Sequence, residues 1–212
     1  MSWEWLPPVL VGALLPFLFP WGKQIHSWCR RPVLELYKPE KDEEAYVEIG
    51  LQDEEGRGRF VAIKVRNTGK TSAQGCYVNL MKLEQQLEPG EWREHIGIRD
   101  PEALPWANRG FERGYSQQTI EHDAPLTISL CLTRQTQPKK VQFQIRGAEY
   151  INGHPVADGR QRDFEEGKYR ATLRVYSSNA KPDTRCIEVT KGATWQDLTI
   201  RQVDCERLPS VL

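Results

Sequence analysis

The chain has 212 residues, and Lys plus Arg balance Asp plus Glu at 29 each, so its formal charge is zero. That balance excludes the basic footprint of a nucleic-acid binder, and no run of like charge is long enough to read as an interaction tail. There is no internal repeat and no low-complexity segment. Cys29, Cys76, Cys131, Cys186 and Cys205 are odd in number, scattered and without a CxxC pair, which excludes a zinc ribbon or a thioredoxin-like motif. Such a set suits a reducing compartment; the competing reading is one or two disulfides in an exported domain.

The first element is apolar. Trp5 to Gly22 is uncharged over 18 residues and contains Pro7, Pro8, Pro16 and Pro20. A membrane-spanning helix needs about 20 apolar residues, so this stretch is short but adequate. Pro7 and Pro8 suit a first helical turn, Pro16 predicts a kink and Pro20 a stop, and membranes tolerate such prolines better than water does. Trp3, Trp5, Trp21 and Trp28 match interfacial belts. A cleaved signal peptide fits less well, because Glu4 is the only charge before the run and no small-x-small site follows it. Lys23, Arg30 and Arg31 come after the run, so the positive-inside rule predicts an outside N-terminus and a cytoplasmic C-terminal domain. Residues 1–31 are therefore expected to be a membrane anchor, and 32–212, about 180 residues, a single domain.

The remainder reads as β. Val33–Tyr37 is a candidate strand, and the mixed charges of Lys38 to Glu44 read as a solvated linker. Tyr46–Leu51 places Val47, Ile49 and Leu51 on one face, and Arg59–Arg66 does the same with Val61, Ile63 and Val65; the pair predicts a hairpin with a long loop. Asn67-Thr68-Gly69-Lys70-Thr71 is a turn, because asparagine tolerates the left-handed region and bonds its own backbone, and glycine is expected to supply positive φ. The run Gly75–Leu83 aligns Cys76, Val78 and Leu80. Later strands are predicted at Leu126–Leu132, Val141–Ile145, Tyr169–Tyr176, Arg185–Val189 and Trp195–Ile200. In the third of these Tyr169, Ala171, Leu173 and Val175 point one way, Arg170, Thr172 and Arg174 the other. Short alternating strands with polar turns predict an antiparallel sandwich. The absence of a long amphipathic helix after the anchor argues against a parallel βαβ fold.

Residues Glu84 to Pro125 break the pattern and read as a long loop, the first place to seek a partner surface. It carries Trp92, Arg93, His95, Trp106 and Tyr115, the candidate binding residues, since Trp and Arg are favoured anchors in binding hot spots. The competing reading packs Trp92 on the sandwich and makes Trp106 a core plug.

Val65-Arg66-Asn67-Thr68-Gly69, followed by Ala73 and Gly75-Cys76, resembles the strand-turn-strand pattern of prokaryotic immunoglobulin-like domains of the CARDB type. With Leu104-Pro105-Trp106-Ala107-Asn108, Ser178-Asn179-Ala180-Lys181-Pro182 and Trp195-Gln196-Asp197-Leu198, the chain is similar to a group of uncharacterised prokaryotic membrane-anchored proteins. The resemblance implies an immunoglobulin-like sandwich and no activity.

No catalytic signature is present. His26, His95, His122 and His154 lack metal-ligand spacing, and there is no H-E-x-x-H, P-loop, G-x-S-x-G or G-x-G-x-x-G. Glu121-His122-Asp123 reads as a solvated turn, because neighbours on an extended strand point to opposite faces. The expectation is thus a membrane-tethered interaction module without cofactor or metal, whose partners are the membrane and another protein and not nucleic acid. The alternatives are a hydrolase or ligand-binding enzyme using His95, His122 and Asp123, and an exported stalk or adhesin-like domain.

Overall fold

The computed structural model describes residues 31–50, 56–94, 101–107, 115–144, 150–151, 154–155 and 163–205. The expected anchor, apart from Arg31, lies outside them. Among the described residues no helix is long and apolar enough to cross a membrane.

The fold is mainly antiparallel β. The first sheet contains β1 (Leu34–Tyr37), β2 (Tyr46–Gly50), β3 (Arg57–Asn67), β8 (Leu126–Arg134), β9 (Gln137–Phe143) and β12 (Asp163–Phe164). Its order is β1-β3-β8-β9-β12, with β2 also on β3. The second sheet is built on β4 (Ala73–Glu88), β13 (Gly167–Tyr176), β14 (Asp183–Lys191) and β15 (Leu198–Val203). The free edge of β4 takes three short strands, β5 (Glu91–Glu94), β6 (Glu102–Ala103) and β7 (Gln118–Ile120). A separate two-residue pair joins β10 (Tyr150–Ile151) to β11 (His154–Pro155).

Alternation explains most of this. Val61, Ile63 and Val65 of β3 and Tyr169, Ala171, Leu173 and Val175 of β13 are all buried in one core fed by both sheets, as period-2 patterning requires of a half-buried strand. On β4 the buried positions run Cys76, Val78, Leu80 and then Leu83. The register against β13 shifts between Thr172 and Leu173, which marks a β-bulge; the extra residue moves the phase by one. The hairpin of β2 and β3 forms as predicted.

Three expectations need correction. Val47 is 43% exposed, and Tyr46 instead packs against the core; an aromatic ring with a polar tip outcompetes valine for that site, its hydroxyl accepting the Ile200 N–H at 2.8 Å. The stretch read as a solvated linker joins β1 to β2, and Glu40 to Glu44 are exposed as expected, but it is not without structure. It holds one helical turn, α1 (Asp42–Ala45), tied down by buried Ala45 and by Lys38–Asp42 and Lys64–Glu44 ion pairs. The stretch 84–125 is not one loop either, because β4 runs on to Glu88 and β5, β6 and β7 follow. Glu84, Gln85 and Gln86 are half-buried and Glu91 and Arg93 exposed, so they show no core phase, whereas Glu102 of β6 is buried at 6%.

Two segments bridge the open sides between the sheets. After β6 pairs with β4, Pro105 accepts the Ser129 N–H and Trp106 bridges to Ile128 of β8. On the other side β1 pairs with β3, while the Leu36 N–H donates to Asp183 of β14 and Val33 bridges to Lys181. The far end of β14 is closed by Lys191. This residue is 2% exposed, and its ammonium donates to the carbonyls of Gly192 and Thr194. Burial pulls its pKa below the ordinary value, against Asp197 and Glu166.

Candidate functional site

Two regions concentrate polar chemistry. The first is the end of the molecule where the chain enters at Val33. Asn67, fully buried, sits at its centre. Its Oδ1 accepts from Val33 N at 3.1 Å and Gly69 N at 3.0 Å, and its Nδ2 donates to Thr71 O at 2.7 Å and Ile120 O at 3.1 Å. Two lone pairs and two N–H groups are the whole capacity of a carboxamide. Thr68 N donates to Val33 O at 2.9 Å. Gly69 does not take the positive φ expected of it; it is needed for space, because a Cβ there would stand 2.2 Å from Arg31 O and 2.6 Å from Pro32 Cα. The Asn-Thr-Gly turn is therefore a clamp on residues 31–33.

The other turns of this end join it. Ser177 and Ser178 hydroxyls donate to Gln74 O, Asn179 Oδ1 accepts from Gln74 N, and Asn179 Nδ2 donates to Ser72 O. Ser72 donates to Glu121. Asp123, in the left-handed region at φ 55°, donates its N–H to Asn67 O and meets His122 Nε2 at 3.1 Å. The His122 and Asp123 side chains are 51% and 71% exposed, and Ser72 bonds Glu121 rather than His122. Among the described residues of this end, no nucleophile, base and orienting acid are brought together. His95 lies outside the described residues.

The second region is the outward face of the second sheet. Trp92 of β5 stands opposite Gln86 and is half-buried. The Arg170 guanidinium lies over its ring, 4.0 Å from the centroid, a cation–π contact. Arg170 also pairs with Glu188 at 3.3 Å, and Arg201 pairs with the other Glu188 oxygen at 2.6 Å. Burial raises the Glu188 pKa, but hydrogen bonds from Arg201 and Arg170 outweigh it and hold the carboxyl below its ordinary value. Lys82 pairs with Glu84 at 2.6 Å. Farther along the face Tyr77 and Tyr176 stack at 5.0 Å, with Arg174 over Tyr176. The Nε atoms of Arg170 and Arg174 are buried without a hydrogen-bond partner.

The candidate binding residues do not form one site. Trp92 is on the outward face and Arg93, exposed, is its neighbour on β5. Trp106 is 4% exposed, and its indole N–H donates to Ser116 O at 3.1 Å; it plugs the core. Tyr115 is half-buried in the turn before β7. Nothing local in the sequence marks Arg170, Glu188 and Arg201 as neighbours of Trp92. The outward phase of Arg170 was the available signal, but the pairing with β5 that brings Trp92 across depends on the long run of β4.

Cys186 and Cys205 are joined by a disulfide, with Cα atoms 5.2 Å apart. The bond matches the competing reading of one or two disulfides rather than a cysteine set suited to a reducing compartment. The two residues are 19 apart in sequence, and antiparallel pairing of Cys186 with Val203 brings them together. Cys76 and Cys131 are free and fully buried, and burial raises both thiol pKa values. Among the described residues no group of three His, Cys, Asp or Glu side chains is placed to hold a metal ion.

Comparison with protein-family models, with curated proteins and with solved structures gives no match.

Proposed function

We propose that the chain is a membrane-tethered interaction module: residues 1–31 form a single-pass anchor, and 32–212 form an immunoglobulin-like sandwich that presents a protein-binding surface. The observation that carries this reading is the clamp at Val33. In sequence, an uncharged stretch long enough to enter a bilayer precedes by about ten residues a strand locked by Asn67 and Gly69. The binding surface is assigned to the outward face around Trp92, Arg170 and Arg201, where Trp and Arg supply the residue types of interface hot spots. A photo-crosslinking residue at Trp92 in native membranes tests it. A discrete adduct at that position and none at Leu87, exposed near the tip of the same hairpin, supports the reading; adducts at neither or equally at both contradict it.

The cations after the apolar stretch favour a cytoplasmic domain. The Cys186–Cys205 disulfide favours a second reading, an exported domain, because such bonds persist in oxidising compartments. A reporter fused after Leu212 decides between them, since activity only on the outside would reject the cytoplasmic side.

A further inference from the structure

The Cys186–Cys205 disulfide lies on the outward face of the second sheet. Ile187 and Val189 of β14 enter the core, so Cys186 and Glu188, which alternate with them, face outward. Cys186 stands opposite Thr172, and Glu188 opposite Arg170. The disulfide is thus one row of side chains, about 7 Å along the strand, from the ladder of Trp92, Arg170, Glu188 and Arg201. Cys186 and Thr172 are 3% and 2% exposed, while Cys205 is half-buried. The other described cysteines, Cys76 and Cys131, are free and fully buried.

The bond fastens the open end of a hairpin. β14 and β15 pair from Lys191–Leu198 to Cys186–Val203, and Cys205 lies two residues beyond that last pair. Arg201 stands on β15 two residues before the same end, opposite Glu188. Its side chain is 75% exposed, so the paired strand is what keeps it on the Glu188 carboxylate. The cations after the apolar stretch favour a cytoplasmic domain, and a disulfide on that side is usually transient and redox-sensing rather than a permanent brace.

We propose that Cys186 and Cys205 form a reversible redox switch of the outward face: the disulfide fixes Arg201 against Glu188 in the partner-binding arrangement, and the dithiol form releases it. The inference rests on the cytoplasmic side and on the binding surface proposed above. In the reducing direction a thiolate of a dithiol reductant attacks Cys205 Sγ, the more exposed sulfur. The S–S bond breaks and Cys186 leaves as a thiolate, met by the Thr172 hydroxyl that lies 3.5 Å from its Sγ. The reductant's second thiol then displaces Cys205 and closes the reductant's own disulfide, so two electrons and two protons pass to the pair. With both thiols free, the last pair of the ladder frays and Arg201 loses its fixed position on Glu188.

Thiol trapping combined with photo-crosslinking of the full chain tests this. Cells expressing the chain with the crosslinking residue at Trp92 are left at rest, treated with diamide, or treated with diamide and then dithiothreitol. Thiols are trapped in acid, and the Cys186–Cys205 pair and the adduct are both read by mass spectrometry. The pair should be thiols at rest, join under diamide and return to thiols with dithiothreitol. The adduct should rise about threefold with the disulfide, the effect of fixing one exposed ion pair. A Cys205→Ser chain should keep the resting yield under diamide. A pair oxidised at rest and unmoved by dithiothreitol overturns the switch, as do thiols that diamide leaves apart or joins to Cys29 instead. A pair that switches while the adduct stays constant overturns control of the face and leaves the binding surface standing. A pair that switches with no adduct in any state overturns the binding surface and its control together.

Discussion

The clamped end and the outward face of the second sheet are both rich in polar side chains, but they use them in opposite ways. At the clamp, neutral amides and hydroxyls bond to backbone groups of other segments, and Asn67 has no capacity left. On the outward face, charges pair with charges and aromatic rings, while guanidinium Nε atoms stay unsatisfied. A saturated neutral network is costly to disturb, because each buried group left unpaired loses its desolvation energy outright. Partly exposed ion pairs are screened and individually weak. The clamp is therefore fit to hold a fixed geometry, and the outward face to exchange partners.

The largest effect should come from Asn67→Ala, which orphans donors and acceptors of four other residues. A loss of about 4 kcal/mol in a urea melt of the full chain is expected, and a loss near that of a surface substitution would remove the distinction between the two regions. Gly69→Ala follows at about 3 kcal/mol, because the new Cβ meets backbone atoms that no rotamer change can move. Cys205→Ser should cost about 2 kcal/mol, measured against the wild-type chain without reductant. Adding reductant should remove that gap, whereas an unchanged gap would show that the bond contributes nothing.

Effects on the outward face should be smaller. A double-mutant cycle of Trp92→Ala and Arg170→Ala should give a coupling of about 1 kcal/mol or less. Glu188→Gln tests the sign of the electrostatics. The folded pKa of Glu188 lies below its ordinary 4.5, so its pairs contribute fully above that value and their contribution is lost as pH falls through the folded pKa. The variant should be slightly less stable at neutral pH and converge with wild type as acid is added. Divergence in acid would reverse the assignment.

Much of the sheet structure was legible because alternation is a local signal. Tyr169, Ala171, Leu173 and Val175 announce a half-buried strand without help from the rest of the chain. The turn at Asn67 was legible for the same reason, but its reach to Val33 and Ile120 was not, since those contacts span 34 and 53 residues. The extension of β4 to Glu88 was hidden because Glu84, Gln85 and Gln86 carry no apolar phase. The disulfide was hidden because only the β14–β15 register brings Cys186 near Cys205. For the outward face the sequence pointed to Trp92 and not to the cations around it. Trp106, a candidate binding residue whose competing reading was a core plug, is core, because the segment bearing it crosses between the sheets.

Alkaline extraction of membranes from cells expressing the full chain, compared with a chain beginning at Arg31, tests the tether most directly. The full chain should remain in the membrane pellet and the shortened chain should be released. Release of both to the same extent would contradict the tether.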